Sequence, residues 1–445
     1  MPAYVRRLTA AIEALSGEPT IEAFRGCTLV PYNKVKVPSF EVAEEIIAYA
    51  SPDSTYAVTK RLLDSATSSI LIGIYDFTAE YMKTMLLNAL SRGVKVTLML
   101  DAETTGGEDK MFQELIDMGV EGVPAPACTS PKNQARFFSS CHEKYIIIDG
   151  TWTLVQSGNY SNNSIPLNEK DGGDPHHFVK GNRDTGLAVK SKPMARFFTK
   201  LLRSDIALEL NAPESEAASA PLAPPEVLWV VAAPKLIPKT LFPSKRFKLS
   251  SALAVQPVLS PDNYMTTIPD VLRVAKRSIL IEQQYIRGSQ PNIAVLLGAI
   301  REAIDANPDL DVRIVLGKIF GAADVAKERE NVKLLKAKYG LALGNNIRYI
   351  DTTRFVHCHN KMIVVDGATV LISSQNWSDS AVAKNREAGL LLTHKGIAKY
   401  FTDIFENDWE TAFQKIPVPS KPQVEPEALR AGGFVQVVPA DYREV

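Results

Sequence analysis

The chain contains the same polar cluster twice, 217 positions apart. CHEKYIIIDG occupies residues 141–150, and CHNKMIVVDG occupies residues 358–367. The match continues without a gap to residues 161 and 378, with ten identities over twenty-one positions. Further matches are SILIGIYDFT (69–78) with SILIEQQYIR (278–287), and NRDTGL (182–187) with NREAGL (385–390). A repeat of this length predicts a fold built from two similar halves.

Each half alternates strand-like and helix-like segments. Residues 145–148 are bulky or β-branched, which is typical of a buried strand, and Asp149-Gly150 after them is typical of a hairpin turn. Segments such as EYMKTMLLNALSRG have the apolar spacing of a helix and lie between strands. The predicted fold class is therefore α/β, with two duplicated α-β-α layered halves and mixed, mainly parallel sheets.

Composition changes suggest where the halves begin and end. APESEAASAPLAPPE, residues 212–226, is rich in Ala and Pro and predicts an extended linker. The predicted organisation is an N-terminal extension (1–44), a first repeat domain (45–211), an Ala/Pro-rich linker region (212–249), a second repeat domain (250–415) and a C-terminal tail (416–445).

Composition also limits the classes of function. Lys+Arg and Asp+Glu are balanced at 50 each among 445 residues, which does not favour a dedicated nucleic-acid binder. No apolar run is long enough to span a bilayer, and the first residues have no signal-peptide pattern. The spacing of Cys27, Cys128, Cys141 and Cys358 matches no zinc site, so we expect free thiols and a cytoplasmic location.

The repeated cluster indicates a functional site. Positions two apart share one face of a strand, so His142 and Lys144 should lie side by side at a strand end, as should His359 and Lys361. A lone histidine near a core is usually an ordinary hydrogen-bonded side chain. Two copies of the same His-Lys pair, each before a buried strand, are difficult to explain by packing.

The two clusters resemble the signature of the phospholipase D superfamily, His-x-Lys-x4-Asp followed by a Ser-x-Asn element. The resemblance covers roughly residues 45–210 and 250–415. The family usually has Gly before the Ser, where this chain has Gln156 and Ser373, and the first half carries an insertion within residues 163–181. The matching residues are His142, Lys144, Asp149, Ser157 and Asn159, then His359, Lys361, Asp366, Ser374 and Asn376.

The resemblance implies one active site between halves related by a pseudo-two-fold axis. Its catalytic groups would be His142, Lys144, His359, Lys361, Asp184 and Glu387, and its phosphate-binding groups would be Ser157, Asn159, Ser374 and Asn376. By analogy His142 would attack phosphorus and His359 would transfer protons, although the symmetry of the sequence favours the reverse nearly as well. The carboxylates would orient the histidines. We expect Asp149 and Asp366 to be structural, and neither a metal nor a cofactor to be needed.

The predicted function is that of a metal-independent phosphodiesterase, which hydrolyses or transfers a phospholipid headgroup through a phosphohistidine. One alternative is a nuclease of the same superfamily, and another is a phosphate-binding scaffold without turnover. Both motifs lie in one chain, so a monomer should suffice. A lipid enzyme could contact a membrane through apolar loops such as VLWVVAA (227–233), although this stretch also fits a buried strand.

Other polar groups allow further interpretations. His357 could join a zinc site, but too few other ligands are near it in the sequence. His176 and His177 with Asp174 could form a lid or bind a metal, although a surface loop is the simpler interpretation. Tyr160 and Trp377, which follow the motif asparagines, should pack beneath the phosphate pocket. The strand-end residues are candidate pocket walls, although core packing explains the aromatic ones equally well: Tyr75, Asp76, Phe77, Gln283, Gln284 and Tyr285.

Overall fold

The computed structural model describes most of the two repeated halves. The described residues are 27–101, 108–130, 133–167, 177–178, 181–212, 237–238, 241–319, 322–419 and 442–444. They form two eight-stranded mixed sheets with helices on their faces, which confirms the duplicated α/β fold. The predictions for Asp174, His176 and residues 227–233 lie outside the described residues, as does most of the 163–181 insertion.

The first half has the order of strands and helices that the alternation predicts. Its elements are β1 (Phe40–Val42), β2 (Glu45–Ser51), α1 (Thr55–Asp64), β3 (Ser69–Ile74), α2 (Glu80–Ser91), β4 (Lys95–Leu100), α3 (Glu108–Asp117), β5 (Glu121–Pro124), β6 (Lys144–Ile148), β7 (Trp152–Gln156), β8 (His177–Phe178), β9 (Asp184–Lys190) and α4 (Lys192–Leu210).

The second half repeats this order and adds one short helix. Its elements, with the short strands near it, are β10 (Ile237–Pro238), β11 (Lys245–Lys248), β12 (Leu253–Ser260), α5 (Tyr264–Arg273), β13 (Ser278–Gln283), α6 (Pro291–Ala306), β14 (Asp311–Leu316), α7 (Ala322–Tyr339), β15 (Ile347–Tyr349), β16 (Lys361–Val365), β17 (Thr369–Ser373), α8 (Asp379–Ala383), β18 (Glu387–Thr393), α9 (Lys395–Thr411), β19 (Pro417–Pro419) and β20 (Tyr442–Glu444).

The expectation of mainly parallel sheets is wrong. The strand orders are β11-β2-β9-β7-β6-β3-β4-β5 and β1-β12-β18-β17-β16-β13-β14-β15. In each sheet only two of the seven pairings are parallel, β3·β4 with β4·β5 and β13·β14 with β14·β15. The others are antiparallel. Parallel neighbours need a crossover, usually a helix, and each of these parallel pairs has a helix between its two strands in the chain.

Three apolar cores place the helices on the sheets. One core contains side chains of both sheets together with the inner faces of α4 and α9. The other two cores lie on the outer faces, under α1 and α2 in the first half and under α5 and α6 in the second. The two halves are therefore joined by a shared apolar core, and the site lies where their sheets meet.

The alternation of β6 explains why its residues are nearly all apolar. Tyr145 and Ile147 pack into the shared core, while Ile146 and Ile148 pack into the outer core of the first half. A strand that is covered on both faces has no side chain facing solvent, so its sequence is a continuous apolar run. β16 follows the same rule in the second half.

Two short strands cross between the halves. β1 precedes the first sheet in sequence but pairs with β12 at the edge of the second sheet. β11 precedes the second sheet but pairs with β2 at the edge of the first. β1, in the predicted N-terminal extension, is therefore an edge strand of the second half. β11, in the predicted linker region, is an edge strand of the first half.

The expectation that all four cysteines are free thiols is wrong for two of them. Cys27 and Cys128 form a disulfide with a Cα–Cα distance of 6.1 Å. Spacing could not reveal this pair, because 101 positions separate the residues and only the fold brings them together. Cys141 and Cys358 are free and buried beside the motif histidines.

Candidate active site

Backbone hydrogen bonds fix both motif histidines at the boundary between the halves. The His142 N–H donates to the Arg386 carbonyl at 2.8 Å, and the His359 N–H donates to the Arg183 carbonyl at 3.0 Å. The backbone N–H of Arg386 in turn donates to the Ser140 carbonyl, and that of Arg183 donates to the His357 carbonyl, at 2.8 Å each. Each histidine is thus held by the strand that leads into the opposite carboxylate, Glu387 or Asp184.

The imidazoles are oriented crosswise by these carboxylates. Nδ1 of His142 lies 2.9 Å from Oε2 of Glu387, and Nδ1 of His359 lies 3.0 Å from Oδ1 of Asp184. A carboxylate only accepts hydrogen bonds, so each Nδ1 carries a proton in these contacts. The ring centroids are 6.5 Å apart. Both histidines are 4% exposed, so they form one buried pair.

The lysines begin strands β6 and β16 and are fully buried. Lys144 Nζ donates to the His142 carbonyl at 2.6 Å, and Lys361 Nζ donates to the His359 carbonyl at 2.6 Å. Lys144 also lies over the ring of Tyr75, 5.1 Å from its centroid. The structure therefore brings the four predicted His and Lys side chains together, and it holds each ammonium group on the backbone carbonyl of a motif histidine.

The serines and asparagines of the motifs lie in the same region. Ser157 Oγ donates to Asp184 Oδ1 at 2.8 Å and accepts the Thr185 N–H at 3.0 Å. Ser374 Oγ accepts the Ala388 N–H at 2.9 Å. These contacts support the carboxylate-bearing strands β9 and β18. Asn159 is buried and its Nδ2 donates to Asp76 Oδ2 at 3.3 Å.

The motif aspartates lie at the far ends of β6 and β16. Asp149 and Asp366 have positive φ angles of 50° and 55°, which only Asp, Asn and Gly adopt readily. The Asp149 carboxylate accepts the backbone N–H groups of residues 67, 68 and 69 at 2.8–2.9 Å. Partial burial opposes its ionisation, but these hydrogen bonds prevail and lower the pKa of Asp149 to about 2. These side chains therefore stabilise the turn.

Two buried arginines were missed by the sequence analysis. Arg183 donates to Asp408 at 2.6 and 3.1 Å and to Asp53 at 3.1 Å. Arg386 donates to Asp262 at 2.6 Å and to Asp205 at 2.8 Å. Both arginines are fully buried. The signal that could have revealed them was the repeated Asn-Arg before each carboxylate.

These ion pairs connect the two halves. Asp408 lies on α9 of the second half but pairs with Arg183 of the first. Asp205 lies on α4 of the first half but pairs with Arg386 of the second. Because each arginine directly precedes a carboxylate that orients a histidine, the ion pairs fix the positions of both carboxylate strands.

One buried carboxyl group lies near each His-Lys pair, but the two groups occupy different positions of the repeat. In the first half it is Glu143, where the second half has Asn360. In the second half it is Glu282, which accepts from Asn360 Nδ2 at 2.8 Å. The first half has Gly73 at that position, and a Cβ there would lie 3.2 Å from Glu143 Oε1. Burial raises the pKa of Glu143 strongly and that of Glu282 to about 8.

The surroundings of the two histidines also differ. On the first-half side, Asp101 accepts from Ser140 Oγ at 2.9 Å and from the Cys141 N–H at 2.8 Å. Burial raises the pKa of Asp101 to about 6. On the second-half side, the ring of His357 lies 6.3 Å from that of His359. Its Nδ1 accepts the Lys318 N–H at 3.0 Å, so it is placed by a backbone contact and the ring proton is on Nε2.

Comparison with known proteins agrees with this geometry. A family described as "Cardiolipin synthase, PLD-like domain" matches residues 59–205 and again 268–409. A cardiolipin synthase of Geobacillus sp. (strain WCH70) is 28% identical over 149 residues, which are 32% of this chain and 29% of that protein. A phospholipase D of Rickettsia felis is 31% identical over 103 residues, 22% of this chain and 44% of that protein. The chain thus spans less than half the length of these curated relatives.

A solved structure shows the same fold over most of the chain. Phosphatidylserine synthase of Haemophilus influenzae Rd KW20 superposes with a TM-score of 0.59 at 14% identity, covering 85% of this chain and 89% of that one. The family match covers both repeats, including each His-Lys pair, and extends over more than half of the residues. This chain is therefore a member of the phospholipase D superfamily, with both of its repeats in one polypeptide.

Proposed function

We propose that the protein is a metal-independent phosphodiesterase that cleaves or exchanges the headgroup of a phospholipid through a phosphohistidine. The observation that carries the proposal is the crosswise pairing of His142 with Glu387 and of His359 with Asp184. Two imidazoles oriented by carboxylates, with an ammonium group held at the backbone of each histidine, are the groups needed for a two-step transfer of a phosphoryl group.

In the first step one imidazole attacks phosphorus through Nε2 and the bond from phosphorus to the leaving oxygen breaks. The other histidine, in its protonated form, gives its proton to that oxygen. By analogy with the superfamily, His142 attacks and His359 supplies the proton. Lys144 and Lys361 stabilise the negative charge that develops on the phosphoryl oxygens, and fixed charges of this kind often supply a large part of catalysis.

In the second step His359 accepts a proton from water or an alcohol, whose oxygen attacks phosphorus. The bond between phosphorus and His142 then breaks and the imidazole is regenerated. Glu387 and Asp184 stabilise whichever imidazole is positively charged in each step. Water gives hydrolysis and an alcohol gives transfer, so both outcomes follow from one intermediate. One chain supplies all these groups, which supports activity as a monomer.

The phospholipid substrate is supported by the printed names of the relatives, a cardiolipin synthase and a phospholipase D. Among the described residues no helix combines the length and apolar character needed to cross a bilayer. We propose that the protein contacts its lipid substrate at the membrane surface. The balanced charge of the chain favours this substrate over DNA or RNA, which bind mainly through basic surfaces.

The test offers the purified protein mixed phospholipids in detergent with ethanol and measures phosphatidylethanol by mass spectrometry. We expect the product from the native protein and from Lys399→Met, an exposed lysine variant, but not from Lys361→Met or His142→Ala. Quenching with a denaturant at alkaline pH should retain phosphorus on one histidine, because the bond between phosphorus and an imidazole nitrogen is stable in alkali and labile in acid. If no lipid product forms while single-stranded DNA is cut by the same set of proteins, the nuclease assignment replaces this one. Phospholipid binding without any turnover would indicate a scaffold.

A further inference from the structure

The rim of the site differs between the halves at positions related by the repeat. Strand β3 is followed by Tyr75, Asp76, Phe77 and Thr78, and strand β13 is followed by Gln284, Tyr285, Ile286 and Arg287. The structure shows the same correspondence. Phe77 forms an isolated parallel β-bridge with Tyr160, and Ile286 forms the equivalent bridge with Trp377. A substrate that lies across the pseudo-two-fold axis therefore meets different chemistry on its two sides.

On the first-half side the rim is acidic and internally paired. Asp76 accepts from Thr78 Oγ1 at 2.9 Å and from Asn159 Nδ2 at 3.3 Å. Asp101 adds a second carboxyl group at the end of β4. An anionic group of a substrate would be repelled here, or would have to displace these hydrogen bonds.

On the second-half side the corresponding positions carry a cation. Arg287 takes the place of Thr78, and its guanidinium lies over the ring of Tyr285, 4.5 Å from the centroid. Within the described ranges its side chain has no hydrogen-bond acceptor and no ion-pair partner. This stacking holds the guanidinium in place and leaves its N–H donors for another acceptor.

Contacts of its own segment place Arg287 next to the second motif. Its N–H donates to the carbonyl of Trp377 at 2.9 Å, and Trp377 directly follows the motif residue Asn376. Three positions earlier, Gln284 accepts from Lys361 Nζ at 3.4 Å. The segment that carries Arg287 thus borders the motif lysine and the motif asparagine of the second half.

Neighbouring groups favour a negative ligand on this side. The position of Asp101 is taken by Gly317, where a Cβ would lie 2.2 Å from the ring of His357. An acidic side chain is therefore excluded from the space that His357 fills. Glu328 on α7 is the carboxyl that attracts Arg287, but it is buried and already accepts from the Tyr349 hydroxyl at 2.7 Å. Glu328 therefore neutralises the positive charge of Arg287 only in part.

We propose that Arg287, held on Tyr285, is an anion subsite that binds a second phosphate group of the substrate beside the phosphodiester that reacts. The subsite rests on the proposed phosphodiester site and adds the orientation in which the substrate binds there. The arm of the substrate on the second-half side carries the extra phosphate. The arm on the first-half side, near Asp76, is neutral or positively charged.

The first experiment is calorimetric and needs no turnover. If the subsite is as proposed, one inorganic phosphate fills one of the two anion positions, whereas one inorganic pyrophosphate spans the His-Lys centre and Arg287 together. We expect the native protein and the exposed control Arg329→Gln to bind pyrophosphate about tenfold more tightly than phosphate, because hydrogen bonds between charged groups are strong. Arg287→Gln should bind both equally, and Arg287→Lys should keep part of the difference.

Each outcome decides the proposal. If Arg287→Gln keeps the tenfold preference, or if the native protein has none, the subsite is wrong while the phosphodiester site stands. If neither anion binds the native protein, both proposals fail. A second readout compares phosphatidylglycerol with phosphatidylglycerol phosphate, which differ by one terminal phosphate. The ratio of their kcat/KM values should favour the phosphorylated lipid in the native protein and fall to about one in Arg287→Gln.

Discussion

His142 and Glu387 form a hydrogen bond of 2.9 Å although 245 positions separate them. The relationship is reciprocal, because Asp184 of the first half binds His359 of the second. Each half therefore supplies one imidazole and the carboxylate for the other imidazole. Neither repeat orients its own histidine, so this arrangement needs two copies of the repeat.

The first prediction concerns this crossed pairing. Glu387→Gln keeps a hydrogen-bond acceptor for His142 but removes the negative charge that stabilises its protonated form. We expect kcat for bis(p-nitrophenyl) phosphate to fall by about 10–100-fold with little change in KM, as for other side chains that orient a reacting histidine. Glu410→Gln, on the exposed end of α9, is the control. A normal kcat with a normal melting temperature would show that the pairing does not assist catalysis.

The second prediction concerns the turn at Asp149. Asn tolerates the positive φ, so Asp149→Asn removes the charge without straining the backbone. We expect the free energy of unfolding to fall by about 1–3 kcal/mol at pH 7, since hydrogen bonds to a charged group are lost. The folded pKa of about 2 is below the ordinary value of 3.8, so this advantage of the native protein is complete above pH 3.8 and disappears as the pH falls towards 2.

Urea denaturation at a series of pH values measures this difference. Asp309→Asn, which changes an exposed aspartate, should match the native protein at every pH. A gap between Asp149→Asn and the native protein that stays constant down to pH 2 would contradict the proposed role of the ionised carboxylate.

The third prediction concerns the buried ion pairs. Arg386→Met leaves Asp205 and Asp262 buried without their cation. Breaking a buried pair from one side typically costs about 3–5 kcal/mol, and we expect a loss of that size in the free energy of unfolding. Arg329→Met on the surface of α7 should cost almost nothing. A loss for Arg386→Met no larger than that of the control would mean that solvent reaches the site of the arginine.

The fourth prediction concerns the disulfide between Cys27 and Cys128. Reduction should lower the free energy of unfolding by about 2–5 kcal/mol, because the bond closes a long loop in the unfolded chain. Thermal unfolding with and without reductant measures the effect, and Cys128→Ser should be insensitive to reductant. Burial raises the pKa values of Cys141 and Cys358, so these thiols should react with a thiol reagent only after unfolding. Two reactive thiols in the folded protein would contradict this assignment.

The repeated motif was enough to predict the duplicated α/β fold and to name the His and Lys residues that meet. It could not show which carboxylate binds which histidine, because pairing within a repeat and pairing between repeats are both compatible with the same sequence. The direction of the strands was mispredicted, since the return from β5 to β6 has no helix in its described part. The roles of Arg183 and Arg386 were also missed, because their partners are separated from them by 225 and 181 positions.

The exchange of β1 and β11 has a consequence for dissecting the molecule. Cutting the chain in the 213–236 segment would give a front fragment that carries the edge strand of its neighbour and lacks its own. The back fragment would have the opposite defect. Two such fragments have reason to associate when mixed, since each holds a strand that the other's sheet requires. Because each repeat needs an edge strand that the other fragment carries, the two fragments should be co-expressed rather than studied separately.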